Sequence, residues 1–301
     1  MHRNPIYPYY GEQTVCSRQP IAFPPQHQPR QPGLESLMNP RPISENPQLR
    51  GSGKLEGRVA LITGGDSGIG KAAAIAFAKE GADVAIAYLY EVSDAEVTAA
   101  RIEALGRRCL QIRTDLRHKA NCFRAVEETL RTFGRLDILV NNHGVQYPQK
   151  SILDISEEQL YQTFHTNIIP FFFLTQAALP HLPRGASIIN TASITAYQGN
   201  KELIDYSSTK GAIVTFTRSL ALSLADQGIR VNSVAPGPVW TPLIPSSYSA
   251  AEVSVFGTDT PLKRAAQPYE LAGAYVYLAG PDSTYVTGAT IHVNGGDMVT
   301  S

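Results

Sequence analysis

The chain has 301 residues, of which 43% are hydrophobic and 17% charged, and its 26 Lys and Arg balance its 26 Asp and Glu. This neutral balance lacks the basic surface on which nucleic-acid binding depends, so we expect a small-molecule partner and no nucleic acid. No stretch offers the roughly 20 uninterrupted apolar residues that span a bilayer, which argues against membrane insertion. The length permits one large domain with a single core.

Residues 1–52 differ in composition from the rest of the chain. Ten prolines lie between Pro5 and Pro47, among many Gln and Arg and without a sustained apolar period. Because proline fixes φ and removes a backbone donor, we expect an extended or irregular arm here and a folded domain at 53–301. The arm lacks the apolar run of a secretory signal and its prolines fit a transit helix poorly, which predicts a cytoplasmic location.

Cysteine and histidine spacing gives no indication of a metal site. Cys16, Cys109 and Cys122 are widely separated and odd in number, so we predict reduced, structural thiols. The histidines have no clustered carboxylates at ligand spacing, and no metal is assigned.

From residue 57 onward, short apolar runs alternate with longer helical patterns. Strands are predicted at 59–63, 83–88, 109–114, 138–141, 187–191, 230–235 and 290–294, with helices between them. This alternation predicts an α/β fold, a Rossmann-type doubly wound parallel sheet with helices on both faces. Ligands are then expected beyond the carboxyl ends of the strands.

The first strand leads directly into a glycine-rich turn, Thr63-Gly-Gly-Asp-Ser-Gly-Ile-Gly70. Gly64, Gly68 and Gly70 permit a tight turn and close backbone approach, and they place a helix N-terminus against a pyrophosphate. The position between a strand and a helix favours a dinucleotide loop. Asp66 and Ser67 belong either to the cofactor site or to the cap of the helix.

Tyr206 and Lys210 stand four residues apart, and Ser193 lies thirteen residues before Tyr206. On a helix this spacing puts the ammonium beside the phenol, and a neighbouring cation should lower the phenol's pKa from about 10. Tyr206 would act as general acid in reduction and general base in oxidation. Ser193 would donate a hydrogen bond to the substrate oxygen. Together with the glycine loop, these residues predict hydride transfer.

These motifs resemble those of the classical short-chain dehydrogenase/reductase family over about residues 53–296. Asp115-Leu116 matches the family's adenine-side acid, Asn141-Asn-His-Gly144 its fourth-strand motif, Asn167 its helix asparagine and Pro236-Gly-Pro-Val-Trp-Thr241 its nicotinamide-side loop. The arm with Gln31-Pro-Gly-Leu resembles the glucose/ribitol dehydrogenase-like subgroup, a weak guide to substrate.

The resemblance implies a single catalytic domain that binds NAD(P) and forms a homotetramer through the helices carrying Asn167 and Tyr206. We expect the arm to wrap a neighbouring subunit. The implied catalytic residues are Asn167, Ser193, Tyr206 and Lys210. The implied cofactor-binding residues are Gly64, Asp66, Ser67, Gly68, Ile69, Gly70, Asp115, Leu116, Asn142, Gly144, Tyr206, Lys210, Pro236, Gly237, Val239 and Thr241.

Two positions near this site require separate interpretation. Pro170 follows Asn167 within an apolar helical run, so we expect a local kink beside the asparagine, which in the family helps to hold a water linking the lysine to solvent. His143 replaces the small residue usual in the family, and we interpret it as tolerated rather than chemically active.

The sequence gives less information about the preferred cofactor and the substrate. Residues 87–94 contain the acids Glu91 and Asp94 and no base, which favours NAD, although Lys71 or Arg101 could reach this region. Residues 242–268, together with Trp240 just before them, should form a lid over the substrate, with the apolar side chains of Trp240, Leu243, Ile244, Tyr248, Val253 and Phe256. Such a lid does not distinguish a polyol from an aliphatic aldehyde.

The leading hypothesis is an NAD(P)-dependent oxidoreductase that acts on an alcohol, sugar alcohol or carbonyl. An enoyl reductase is less favoured because related families separate the tyrosine and lysine more widely. An alternative from another class is a catalytically idle dinucleotide sensor or interaction module that uses its proline-rich arm to bind a partner.

Overall fold

The computed structural model describes residues 12–14 and 18–299, with side chains from residue 19 onward. A short antiparallel pair, β1 (Glu12–Thr14) and β2 (Arg18–Pro20), precedes the main sheet. The main sheet contains β3 (Val59–Thr63), β4 (Asp83–Tyr88), β5 (Cys109–Arg113), β6 (Ile138–Asn141), β7 (Ser187–Thr191), β8 (Arg230–Pro236) and β9 (Thr290–Val293). All seven predicted strands are confirmed, and three of them end one residue away from the predicted limit.

The seven strands are parallel and lie in the order β5-β4-β3-β6-β7-β8-β9. The order reverses between β3 and β6, since the chain moves outward from β3 in one direction and returns to its other side. A crevice opens at such a reversal, beyond the carboxyl ends of the strands. The predicted doubly wound sheet is therefore confirmed.

Helices cover both faces of the sheet. They are α1 (Gly68–Lys79), α2 (Val92–Ala104), α3 (Lys119–Phe133), α4 (Glu157–Asn167), α5 (Ile169–Ala178), α6 (Thr195–Gln198), α7 (Ile204–Leu224), α8 (Ala250–Ser254) and α9 (Tyr269–Ala279). Alternate residues of β3 point to opposite faces. Ile62 packs in the core with α1, α2 and α9, whereas Leu61 packs in the core with α3, α5 and α7.

The helical run that carries Asn167 is broken, as predicted. Helix α4 ends at Asn167, Ile168 has φ −130° and ψ −41°, and α5 begins with Pro170 in its first turn. Proline lacks the amide hydrogen that would continue the hydrogen-bond ladder, and its ring conflicts with the preceding turn. The break fixes the end of α4 beside the site described below.

The described part of the arm packs on its own chain with little regular structure. A 3-10 turn at Glu35–Leu37 is its main helical element. Phe23 and Met38 are buried with Trp240, Ile244 and Val253 in a small core of their own. The arm therefore covers the segment that follows β8.

Cys109 and Cys122 are free thiols, whereas Cys16 lies outside the described residues. Among the described helices, none has both the length and the hydrophobicity needed to cross a bilayer. In the same residues, no cluster of three or more His, Cys, Asp or Glu is arranged to hold a metal ion.

Candidate active site

A cleft of about 1330 Å³ runs along the carboxyl ends of the strands. That volume exceeds that of a typical small-ligand pocket and suits a dinucleotide together with a substrate. The structure brings to its wall most of the predicted site residues, namely Gly64, Asp66, Ser67, Gly68, Ile69, Asp115, Leu116, Asn142, Gly144, Ser193, Tyr206, Lys210, Pro236, Gly237, Val239 and Thr241. Gly70 and Asn167 lie behind the lining.

The glycine turn forms a cradle that side chains would fill. Gly64 and Gly68 have φ of +63° and +52°, values that L side chains rarely adopt. A Cβ on Gly70 would lie 1.9 Å from the Gly64 carbonyl oxygen, and one on Gly68 would lie 3.0 Å from the Thr241 methyl. Ser67 precedes α1, but its side chain makes no capping bond. The turn thus places the N-terminus of α1 at the cleft wall, the position that the pyrophosphate of a dinucleotide requires.

The arm contributes an acid to this turn. Glu35 accepts hydrogen bonds from the Gly68 amide at 2.9 Å and from the Lys71 ammonium at 2.6 Å. Asp94 in turn accepts hydrogen bonds from the amides of Glu35 and Ser36, at 2.6 and 3.0 Å. These contacts fix the arm to the glycine turn and to α2 through buried carboxylates.

Two buried carboxyl groups, Asp66 and Glu91, line the cleft near the end of β4. Desolvation and the nearby charge of Glu91 raise the pKa of Asp66 to about 8. Burial also raises the pKa of Glu91, although that carboxylate accepts hydrogen bonds from the amides of Leu89 and Tyr90 at 3.1 and 2.8 Å. Burial therefore favours the neutral acid form of both groups.

The predicted catalytic residues meet at the opposite end of the cleft. Ser193 follows β7, and Tyr206 and Lys210 lie on α7. The Lys210 ammonium donates a hydrogen bond to the Thr191 carbonyl at 2.9 Å and lies 5.4 Å from the centroid of the Tyr206 ring. The phenol, the ammonium and the hydroxyl thus share one wall of the cleft.

Burial decides the ionisation of this group. It raises the pKa of Tyr206 to about 12, an increase that a hydrogen bond with Ser193 partly offsets. It also lowers the pKa of Lys210 to about 7. The predicted lowering of the phenol's pKa is wrong here, because the cost of charging either buried group exceeds any effect of their proximity.

Asn167 holds the backbone beside the lysine. Its side-chain oxygen accepts from the Val145 amide at 2.8 Å, and its side-chain nitrogen donates to the Val145 carbonyl at 2.9 Å and to Thr209 Oγ1 at 3.2 Å. A Cβ on Gly144 would lie 3.3 Å from Asn167 Oδ1 and 3.7 Å from Lys210 Nζ. Asn167 therefore shapes the wall behind Gly144 without facing the cleft.

Two further predicted positions make mainly structural contacts. His143 Nδ1 lies 2.7 Å from Thr63 Oγ1, its ring packs against Phe171, and burial lowers its pKa to about 3. The neutral imidazole agrees with the interpretation of a tolerated residue. Asp115 forms a 2.6 Å salt bridge with Arg117, whose hydrogen bonds lower the pKa of the carboxyl group.

The predicted lid divides between two environments. Leu243, Ile244, Tyr248 and Phe256 line the cleft. Trp240 is fully buried and stacks on Phe23 of the arm, and Val253 lies in the same small core. The expectation that Trp240 and Val253 shape the substrate pocket is therefore wrong, because the arm provides them with an apolar partner.

The arm also lines the cleft, which the sequence did not indicate. Arg30, Gln31, Pro32 and Gly33 form part of the wall. Gln31 pairs with the backbone of Gln146, accepting from its amide at 3.0 Å and donating to its carbonyl. From the sequence, the motif Gln31-Pro-Gly-Leu indicated only the subgroup. No local pattern relates Gln31 to Gln146, which lies more than a hundred positions away along the chain.

Residues 64–297 match the family model described as Enoyl-(Acyl carrier protein) reductase. The chain is 62% identical to the uncharacterized oxidoreductase YhdF of Bacillus subtilis, over 94% of this chain and 98% of that protein. It is 50% identical to the glucose and ribitol dehydrogenase of Daucus carota, over 92% of this chain and 97% of that protein.

Solved structures show the same architecture. A short chain dehydrogenase from Burkholderia cenocepacia in complex with NADP superposes with a TM-score of 0.77 and 32% identity, covering 81% of this chain and 99% of that one. A short chain dehydrogenase from Mycobacterium paratuberculosis bound to NAD gives a TM-score of 0.75 and 32% identity, covering 81% and 98%.

The doubly wound sheet with its glycine cradle and Ser-Tyr-Lys wall defines a dinucleotide-dependent oxidoreductase. The similarities over nearly the whole chain define the class more narrowly. This protein belongs to the short-chain dehydrogenase/reductase family and, within it, to the glucose/ribitol dehydrogenase-like subgroup. It is an NAD(P)-dependent enzyme that acts on CH–OH groups.

Proposed function

We propose that this enzyme interconverts an alcohol, sugar or sugar alcohol with its carbonyl compound, and that Tyr206 moves the proton. The observation that carries the proposal is the convergence of Ser193, Tyr206 and Lys210 on the cleft wall that continues from the glycine cradle. A nicotinamide dinucleotide, when bound, would supply or accept the hydride at the substrate carbon.

In reduction, Tyr206 gives its phenolic proton to the substrate oxygen as the carbon gains the hydride. Ser193 donates a hydrogen bond to the same oxygen and stabilises the negative charge that develops there. The Thr191 carbonyl fixes the Lys210 amino group beside the phenol. Asn167 is a positioning residue, since its amide fixes Val145 next to the lysine.

The shape of the glycine cradle is evidence for the cofactor-binding residues that the family motif implies. The backbone of Gly64 to Gly70 would receive the pyrophosphate, and the loop from Pro236 to Thr241 would flank the nicotinamide. Thr241 lies against Gly68, so the two loops meet where a dinucleotide would cross from one to the other.

The substrate end of the cleft combines an apolar wall with polar groups at its rim. Leu243, Ile244 and Phe256 form the apolar part, and Gln198, Asn200, Glu252 and Lys263 lie around it. Polar rim groups suit the hydroxyls of a sugar or polyol, and the glucose and ribitol dehydrogenase of Daucus carota is named for substrates of that class. Short aldehydes and ketones remain within the proposed range.

The prediction of NAD as the preferred cofactor rested on the absence of a base within residues 87–94, with Lys71 and Arg101 as the cations that could reach it. The arm brings Arg30 to that end of the cleft. The absence of a base within residues 87–94 is consequently insufficient to favour NAD, because the fold supplies a positive charge from another segment.

We also propose a homotetramer in the cytoplasm. Leu160 and Tyr161 on α4, Phe172 on α5 and Leu222 on α7 are exposed by 41, 55, 44 and 83%. Apolar side chains on neighbouring helices are typical of a subunit interface. Light scattering of the purified protein should give a mass of four chains, and a monomeric mass would contradict the assembly.

The test of the reaction is nicotinamide absorbance with NAD(H) and NADP(H) against sugars, polyols, short alcohols, aldehydes and diketones. Tyr206→Phe should lose about 10²- to 10⁴-fold in kcat, the usual contribution of positioned proton transfer. Tyr197→Phe is the matched control, because its buried hydroxyl has no hydrogen-bond partner among the described residues and does not line the cleft. Unchanged turnover in Tyr206→Phe would refute the assignment.

A further inference from the structure

The end of β4 is the part of a doubly wound fold that contacts the adenosine ribose of a dinucleotide. Tyr88, Leu89, Tyr90 and Glu91 line the cleft there, and none of them carries a positive charge. The arm supplies one. The guanidinium carbon of Arg30 lies 3.5 Å from the centroid of the Tyr90 ring, and Arg30 lines the same cleft.

Three other cations around this end have carboxylate partners, and Arg113, which pairs with Tyr88 in the sheet, does not line the cleft. Lys71 lies 2.6 Å from Glu35, Arg101 lies 2.7 Å from Glu45, and Arg117 lies 2.6 Å from Asp115. Lys71 and Arg101 were the two cations that the sequence suggested as partners for a phosphate. Their charges are instead neutralised by Glu35 and Glu45.

Arg30 forms no ion pair with any residue that the structure describes, and its side chain is exposed to the cleft mouth. A planar guanidinium binds a phosphate through two parallel N–H hydrogen bonds. Arg30 therefore has both a charge that no described carboxylate neutralises and the donor geometry that a phosphate monoester on the ribose would need.

Contacts on the C-terminal side of Arg30 fix its position. Gln31 exchanges two hydrogen bonds with the backbone of Gln146, and the Tyr90 hydroxyl donates to the Pro32 carbonyl. Since Tyr90 contacts both the guanidinium and the Pro32 backbone, it holds the arm and the end of β4 together. The cation is thus presented by an anchored segment.

The acids on the other side of this region do not cancel the arginine. Asp66 and Glu91 line the cleft, and burial raises the pKa of both, that of Asp66 to about 8. Because both shifts favour the neutral acid, the pair carries less negative charge than two exposed carboxyl groups would.

We propose that Arg30 of the arm binds the 2′-phosphate of NADP(H) and gives the enzyme its preference for NADP(H) over NAD(H). This inference rests on the proposed function, because it concerns the cofactor end of the same cleft. It also gives the arm a direct role in cofactor selection.

Calorimetric titration of the full chain with adenosine 2′,5′-bisphosphate and with 5′-AMP tests this role without turnover. The wild type should bind the bisphosphate more tightly, and Arg30→Ala should reduce the ratio of the two affinities about tenfold, the effect of losing one charge-assisted contact. Arg30→Lys should give an intermediate ratio, because lysine keeps the positive charge but lacks the planar pair of N–H donors. NADP⁺ and NAD⁺ should follow the same order.

Arg41→Ala is the matched control, since Arg41 is an exposed arm arginine that bonds the Ser36 carbonyl outside the cleft. Its affinity ratio should equal that of the wild type. A ratio changed less than twofold in Arg30→Ala, or equal weakening of both nucleotides, would overturn the proposal. A protein that shows the ratio change but transfers no hydride would instead refute the proposed reaction and leave the role of Arg30 standing.

Discussion

The ring of Phe23 lies 3.7 Å from that of Trp240, centroid to centroid, and the two planes are within 7° of parallel. Phe23 belongs to the arm, whereas Trp240 belongs to the loop that follows β8 and leads to the cleft residues Thr241 and Ile244. The Trp240 indole also donates a hydrogen bond to the Pro40 carbonyl at 2.9 Å. The arm and the substrate-side loop therefore share one core.

Phe23→Ala should remove one half of this stack and leave a cavity against Trp240. Burial of a phenylalanine of this size predicts a loss of about 3 kcal/mol in the free energy of unfolding. Thermal melting at fixed protein concentration would measure it, with Leu49→Ala as the control because Leu49 is 61% exposed on the same arm. Equal melting temperatures for the two variants would show that the stack of Phe23 on Trp240 contributes nothing to stability.

Gly70→Ala should abolish cofactor binding, whereas the control variant Gly273→Ala should leave it unchanged. Its Cβ would stand 1.9 Å from the Gly64 carbonyl, so the turn must open and the cradle must change shape. Gly273→Ala on α9 adds a Cβ that meets nothing within 4 Å and should bind NAD(P) normally. Quenching of protein fluorescence by NADPH would report both. Normal affinity in Gly70→Ala would contradict the assignment of the cradle to the pyrophosphate.

The two directions of the reaction should respond differently to pH. Burial raises the pKa of Tyr206 to about 12, so the phenol keeps its proton at every pH in the working range. Carbonyl reduction uses that proton and should vary little between about pH 6 and 9. Alcohol oxidation uses the phenolate, so its kcat/KM should rise up to about tenfold per pH unit. Steady-state rates of reduction and oxidation, with enzyme preincubated at each pH, would measure these two pH dependences. An oxidation rate independent of pH would contradict this ionisation.

Lys210 should make stability depend on pH with a definite sign. Burial lowers its pKa to about 7 in the folded protein, whereas the unfolded chain holds that proton until about pH 10. Between these values the unfolded state binds more protons, so the free energy of unfolding should rise with pH, by at most roughly 1.4 kcal/mol per unit. Below about pH 7 both states are charged and the slope should disappear.

Denaturant unfolding of the wild type and Lys210→Met at about pH 7.5, 8.5 and 9.5 would measure this slope. The variant should lack the rise, because methionine does not titrate. Lys150→Met, which changes an exposed lysine, should follow the wild type. Parallel pH profiles for the wild type and Lys210→Met would contradict desolvation of Lys210 as the cause of the rise.

The sequence alone determined the features that depend on local spacing. Apolar runs located the seven strands, because parallel strands buried on both faces must be almost wholly hydrophobic. The glycines at 64, 68 and 70 identified the turn, since few residues other than glycine fit its backbone. The four-residue step from Tyr206 to Lys210 placed both on one helix face, and Pro170 predicted the break after Asn167.

Only the tertiary structure decided what depends on distant contacts and on burial. No local pattern relates Arg30 and Gln31 to the cleft, or Phe23 to Trp240, because each pair of surfaces meets through folding of segments far apart in the chain. The direction of the Tyr206 pKa shift likewise followed from desolvation and not from the spacing to Lys210. Spacing along a helix fixes which side chains are neighbours, whereas the packing around them fixes how much water, and hence how much charge, they can keep.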